Sequence, residues 1–100
     1  MKDYILLMHN DAPAGRRASD LAWPPYFAKL REAGAFQGGS AMGDGVCVRQ
    51  SGSPPKVSEH LGGYIRICAA DLEAARALVA GNPVYEAGAT VEIRELPRDA

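Results

Sequence analysis
From Lys2 to His9 the chain reads KDYILLMH, a nearly unbroken apolar run closed by Asn10-Asp11-Ala12-Pro13. Aromatic and branched residues bounded by turn formers predict a strand ending in a turn. Continuity in place of alternation predicts that both faces of this strand are covered, one by helices and the other by a further layer such as a partner subunit. Next, Trp23-Pro24-Pro25 follows Ser19-Asp20. Proline fits only the first turn of a helix, so a helix is predicted from about Pro24 to Glu32 or Ala33, stopped by Gly34. Tyr26, Phe27 and Leu30 form its apolar stripe, while Lys29, Arg31 and Glu32 face water.

In the middle of the chain, Ala35–Met42 and Val46–Gln50 flank Gly43-Asp44-Gly45, whose glycines permit a tight turn, so a hairpin is predicted there. Gln37-Gly38-Gly39 makes its first strand irregular, and Ser51–Pro55 is a loop. Gly62–Cys68 predicts a strand with Tyr64, Arg66 and Cys68 on one face and Ile65 and Ile67 on the other. Asp71 is a good N-cap for a second helix carrying Leu72, Ala75, Leu78 and Val79 at helical spacing, stopped at Gly81-Asn82-Pro83. Thr90–Leu96 alternates, with Val91 and Ile93 opposite Glu92 and Arg94. The order is β-α-β-β-β-α-β, which predicts a single α+β domain over residues 1–100, a ferredoxin-like split βαβ fold with an elaborated middle. Its antiparallel sheet carries two helices on one face.

Composition narrows the function classes. Of 100 residues, 47% are hydrophobic and 23% charged, which is globular. A domain of this size buries a modest share of its surface, so association into a homodimer is expected. Net charge is −1 and the basic residues are scattered, which argues against nucleic-acid binding. The first apolar run is too short to span a bilayer and no signal-peptide pattern precedes it, so the expectation is a cytoplasmic protein without membrane contact. Cys47 and Cys68 lie too far apart for a Cys-x-x-Cys pattern and are expected as buried free thiols. The chain lacks a phosphate loop, a dinucleotide fingerprint and zinc-type histidine spacing, so neither cofactor nor metal is expected.

The predicted faces gather the chemistry. Ile65, Ile67, Val91 and Ile93 should meet the helices, leaving Tyr64, Arg66, Glu92 and Arg94 opposite, with Arg49 of the hairpin beside them. That set reads either as a solvated surface or as the wall of a pocket. His9, ending the first strand, and His60, before Leu61-Gly62-Gly63, are the candidate acid–base groups, each needing an orienting partner. Arg49 and Arg66 are candidates to hold a carboxylate. Trp23 either stacks on a ligand or anchors the core. Ser40 lacks a nucleophile-elbow context and is grouped with the ligand-contacting candidates, together with Tyr64 and Arg94.

Met1–Met8, Leu30-x-x-x-Gly34, Gly39-Ser40, Ser58-Glu59-His60-Leu61-Gly62-Gly63-Tyr64 and Val91-Glu92-Ile93-Arg94 together resemble the YCII-related, or DGPF-domain, proteins. The resemblance covers nearly the whole chain. It implies a ferredoxin-like subunit pairing sheet to sheet into a dimeric α+β barrel, with a cleft of small-molecule size. The chain departs from the pattern twice. Ser51-Gly52-Ser53-Pro54-Pro55-Lys56 stands near the place of the Asp-Gly-Pro-Phe tetrapeptide, and no histidine lies between Gly15 and Gly34 where YCII-type members carry one. A histidine–aspartate pair of that kind is therefore not carried over. Some members of the family are similar to lyase-like or dehalogenating enzymes and others are joined to transcription-factor domains, so fold alone selects no activity. Two readings follow: a cofactor-independent acid–base enzyme, lyase- or isomerase-like, acting on a small polar or anionic molecule, and a noncatalytic ligand-binding or regulatory module. A purely structural dimer is a third.

Overall fold
Four antiparallel strands in the order β2-β3-β1-β4 form the backbone of a computed structural model that describes residues 1–98. The last two positions of the expected 1–100 domain lie outside the described residues. The elements are β1 (Lys2–His9), a one-turn 3₁₀ helix (Asp20–Ala22), α1 (Trp23–Glu32), β2 (Phe36–Ala41), β3 (Leu61–Ala69), α2 (Leu72–Ala77), α3 (Pro83–Glu86) and β4 (Val91–Leu96). This is the expected α+β, ferredoxin-like arrangement: two strand–helix–strand halves interleave so that β1 and β3 become the central pair.

Strand alternation divides the sheet. Tyr4, Leu6 and Met8 of β1 face the helices beside Ile65, Ile67 and Ala69 of β3, and this set is buried. Leu30 of α1 and Ala75 of α2 close the same core, with Val91 and Ile93 packed partly against it. α1 is tied to the far helical segment by the Tyr26 hydroxyl, which donates to the Leu78 carbonyl at 2.8 Å, and by Lys29, which donates to the Ala80 carbonyl. Burial pushes the Tyr26 phenol up. On the other face, Ile5 lies opposite Arg66 and Arg94, and Leu7 opposite Tyr64 and Glu92. Both aliphatic side chains are half-buried there, so the near-continuous apolar run of β1 serves two faces, only one of which the chain itself covers with helices.

Three expectations are corrected. The predicted hairpin strand Val46–Gln50 does not form; β2 pairs directly with β3 through Ser40–Tyr64 and Ala41–Gly63, and residues 42–60 make an excursion without strand or helix. Turn chemistry and β-branched residues are present there, but nothing covers them: Val46 and Val48 remain 84% and 90% exposed. A two-stranded ribbon without an apolar layer is marginal. Cys47, on that excursion, and Cys68 are free but only half-buried, contrary to the expectation of full burial. The second helix is also shorter than expected. α2 ends at Ala77 and a further turn, α3, starts at Pro83. Asn82 caps it, its Oδ1 accepting from the Val84 and Tyr85 amides at 3.0 and 3.1 Å, so the predicted stop is equally a start.

β2 carries the irregularity anticipated at its glycines. The register shifts between Phe36 and Gly39, and Gly38 sits at φ +118, a conformation that side chains disfavour. At Gly39 a Cβ would lie 2.6 Å from the Tyr64 carbonyl oxygen, so only glycine lets β2 approach β3 at that point.

Candidate functional site
Three strand ends converge at one edge of the sheet: the last residues of β1 and β2 and the first of β3. A cleft of about 270 Å³ opens there, between that edge and the aromatic face of α1. Trp23 and Phe27 form one wall, their rings stacked at 5.5 Å and 23°. Met8, Gly39, Gly63 and Ile65 form the opposite wall, Val84 of α3 closes one side, and His9 and Asn10 stand at the rim.

The end of β1 is pinned from both sides. The Asn10 amide donates to the His60 carbonyl at 2.7 Å and the His9 amide to the Thr90 carbonyl at 2.9 Å. One residue further, Asp11 accepts from the Thr90 amide at 2.7 Å and from its hydroxyl at 2.6 Å, which holds the Asp11 carboxyl below its ordinary range. Gly62 belongs to the same arrangement, because a Cβ there would collide with Asn10 Oδ1. A register shift between Met8 and His9 follows, and His9 is fixed next to the first residues of β4.

His9 Nε2 lies 3.0 Å from Glu92 Oε1. Glu92 Oε2 in turn accepts from Arg94 Nη1 at 3.4 Å. The hydrogen bond to His9, the larger cause, and the contact with Arg94 hold the Glu92 carboxyl below its usual range. The His9 side chain is 18% exposed and that of Glu92 36%, so the pair sits at the border between core and water. With Nε2–H donating to the carboxylate, Nδ1 of the neutral ring is left as an acceptor. His60 leans edge-on against His9, ring centroids 5.0 Å apart at 75°.

The candidates named from sequence therefore separate. His9, Trp23, Ser40 and Tyr64 border the cleft, and His60 touches His9. Trp23 packs against the core and also lines the cleft. The Ser40 hydroxyl donates to the Ala41 carbonyl at 2.8 Å. Arg66 and Arg94 lie on the open sheet face, outside the cleft lining. Arg49 stands on the 42–60 excursion, where Nη1 donates to the Ser53 carbonyl at 3.1 Å. Glu92 as the partner of His9, Phe27 as half of the aromatic wall and Asn10 at the rim were missed. Glu92 is 83 residues from His9, and only the β1–β4 register brings the two together. Among the described residues, no group of three His, Cys, Asp or Glu side chains converges as a metal site would require, and no helix is long and apolar enough to cross a membrane.

A ferredoxin-like α+β domain with an aromatic-walled cleft at the end of its central strands is the class that fold and site define. Within that class the chain belongs to the YCII-related domain family, which it matches over residues 4–97. No match is found among curated proteins.

Proposed function
We propose that the cleft binds one small molecule and that His9, oriented by Glu92, exchanges a proton with it. The observation that carries this reading is the 3.0 Å contact between His9 and Glu92 at the rim of a cleft with apolar walls. A carboxylate that fixes one imidazole nitrogen as a donor leaves the other to act as a base, the arrangement general acid–base chemistry needs. The pocket is smaller than those that take drug-sized ligands, which suits a compact metabolite. Apolar walls with a few convergent polar groups are the usual make-up of such sites.

The noncatalytic module is supported by a different observation: among the described residues, His9 is the one histidine, acid or lysine at the cleft. Chemistry that needs separate acid and base groups would have to use His9 for both, or draw the second from the ligand or from His60. In either case the working unit in this proposal is a homodimer in a cytoplasmic setting. A second copy would cover Ile5, Leu7 and Leu96 on the open face.

Nitrogen chemical shifts of the His9 ring test the core of the proposal. Wild-type protein should show Nε2–H as the dominant neutral tautomer, and Glu92→Gln a mixture. A mixed tautomer in wild type would remove the base assigned here. Thermal-shift screening of small molecules, followed by analysis of the recovered ligand, separates the two readings. A ligand altered only when His9 is intact supports catalysis, and one released unchanged supports the module.

A further inference from the structure
We propose that the cleft selects a neutral, flat molecule bearing a hydroxyl donor, a phenol or a stable enol, over the corresponding carboxylate. This inference rests on the cleft reading above and specifies what the cleft takes.

Hydrogen-bond polarity at the rim comes first. His9 Nε2 is engaged by Glu92, and Nδ1 has no hydrogen-bond partner among the described residues. A ligand group meeting Nδ1 must therefore bring a donor. A phenolic or enolic O–H does so, whereas an ionised carboxylate brings only acceptors. Charge points the same way. Among the described residues, no arginine or lysine borders the cleft. Lys29 is held by the Ala80 carbonyl, Arg49 by the Ser53 carbonyl and Arg94 by Glu92, and Arg66 lies on the open sheet face. Arg31 lies over the Phe36 ring at 5.0 Å and is not part of the cleft lining. The Glu92 carboxylate beside His9 repels an anion. Burying a carboxylate against apolar walls without a countercharge is unfavourable.

Shape completes the argument. The Trp23–Phe27 pair offers aromatic surface, and Met8, Ile65 and Val84 line the same cleft. A planar ring fits against an aromatic wall flanked by aliphatic side chains, and stacking there adds to burial.

The test compares 4-ethylphenol with 4-ethylbenzoate by calorimetric titration at neutral pH, where the first is uncharged and the second ionised. The full chain is used, alongside His9→Leu and Val84→Trp, the latter filling the cleft from α3. The phenol should bind about tenfold tighter than the benzoate or better, lose that advantage in His9→Leu, and fail to bind Val84→Trp. Circular dichroism and melting curves confirm that both variants are folded. Tighter binding of the benzoate would overturn the selectivity while leaving a ligand cleft in place. Phenol binding that survives Val84→Trp would put the ligand elsewhere and overturn the inference. Failure of both probes on wild type would overturn it together with the cleft reading.

Discussion
Asp3 and Arg98 meet across 95 residues in a bidentate pair, Nε to Oδ2 at 2.7 Å and Nη2 to Oδ1 at 2.9 Å. The guanidinium's hydrogen bonds, partly offset by desolvation and reinforced by its charge, lower the Asp3 pKa from 3.8 to about 2. A carboxyl whose folded value is depressed contributes stability above its unfolded value and loses it as pH falls through the folded one. Stability is therefore expected to decline between about pH 4 and pH 2 more steeply in wild type than in Asp3→Asn, as read by urea denaturation at a series of pH values. Equal slopes would mean that the pair does not persist in solution. Both Asp3 and Arg98 are visible in the sequence, but nothing in either neighbourhood announces the other. His9 and Glu92 show the same limit: residue types that carry chemistry can be named in advance, while their pairing depends on strand register.

Elements were more legible than pairs. The proline-led start of α1, the Asp71 cap and the alternation of β3 and β4 each express a local rule, and the chain follows it. The Val46–Gln50 strand failed because a local preference for extended structure is not enough when no layer exists to bury it. α3 is hidden in the sequence because Gly81-Asn82-Pro83 reads as a helix stop as well as a cap and first turn. Asn82 is 0% exposed, and its amide is satisfied by two backbone donors and by a contact from Nδ2 to Met8 Sδ at 3.6 Å. The close approach of β2 to β3 gives a direct prediction at this scale. Gly39→Ala must push the Tyr64 carbonyl away, and a cost of about 1–3 kcal/mol is expected from the resulting strain. Chemical denaturation measures it, and amide exchange should localise the loosening to β2. An unchanged midpoint would show that the strands do not meet at this distance.

For the whole molecule, shape bears on association. The radius of gyration is 15.0 Å, against about 13 Å for a compact domain of this length. Residues 42–60, with their exposed valines, lie outside the sheet, and the open sheet face keeps Ile5 and Leu7 half-covered. A second copy over that face would bury both. Leu7→Glu is thus expected to shift sedimentation from dimer to monomer, whereas Val48→Glu, on the 42–60 excursion and outside the sheet, serves as a comparison that should leave the dimer intact. A wild-type monomer at all concentrations would remove the dimer from the proposed function. The sequence pattern hinted at this face through the unbroken apolar run of β1. It could not show how much of the face the chain leaves uncovered.

The excursion between β2 and β3 has one more consequence. Its two ends are held together by the pairing of Ala41 with Gly63 and by the Met42 amide donating to the Gly62 carbonyl at 3.0 Å. Closing a flexible loop costs only about 0.6 kcal/mol more for each doubling of its length. The fold is therefore nearly indifferent to what is inserted or removed between Met42 and Ser58, short of His60, whose carbonyl holds the end of β1, and a protease cut there would leave two fragments still joined through the sheet. Natural variation, epitope tags and circular permutation should all be tolerated at this place more readily than elsewhere in the chain.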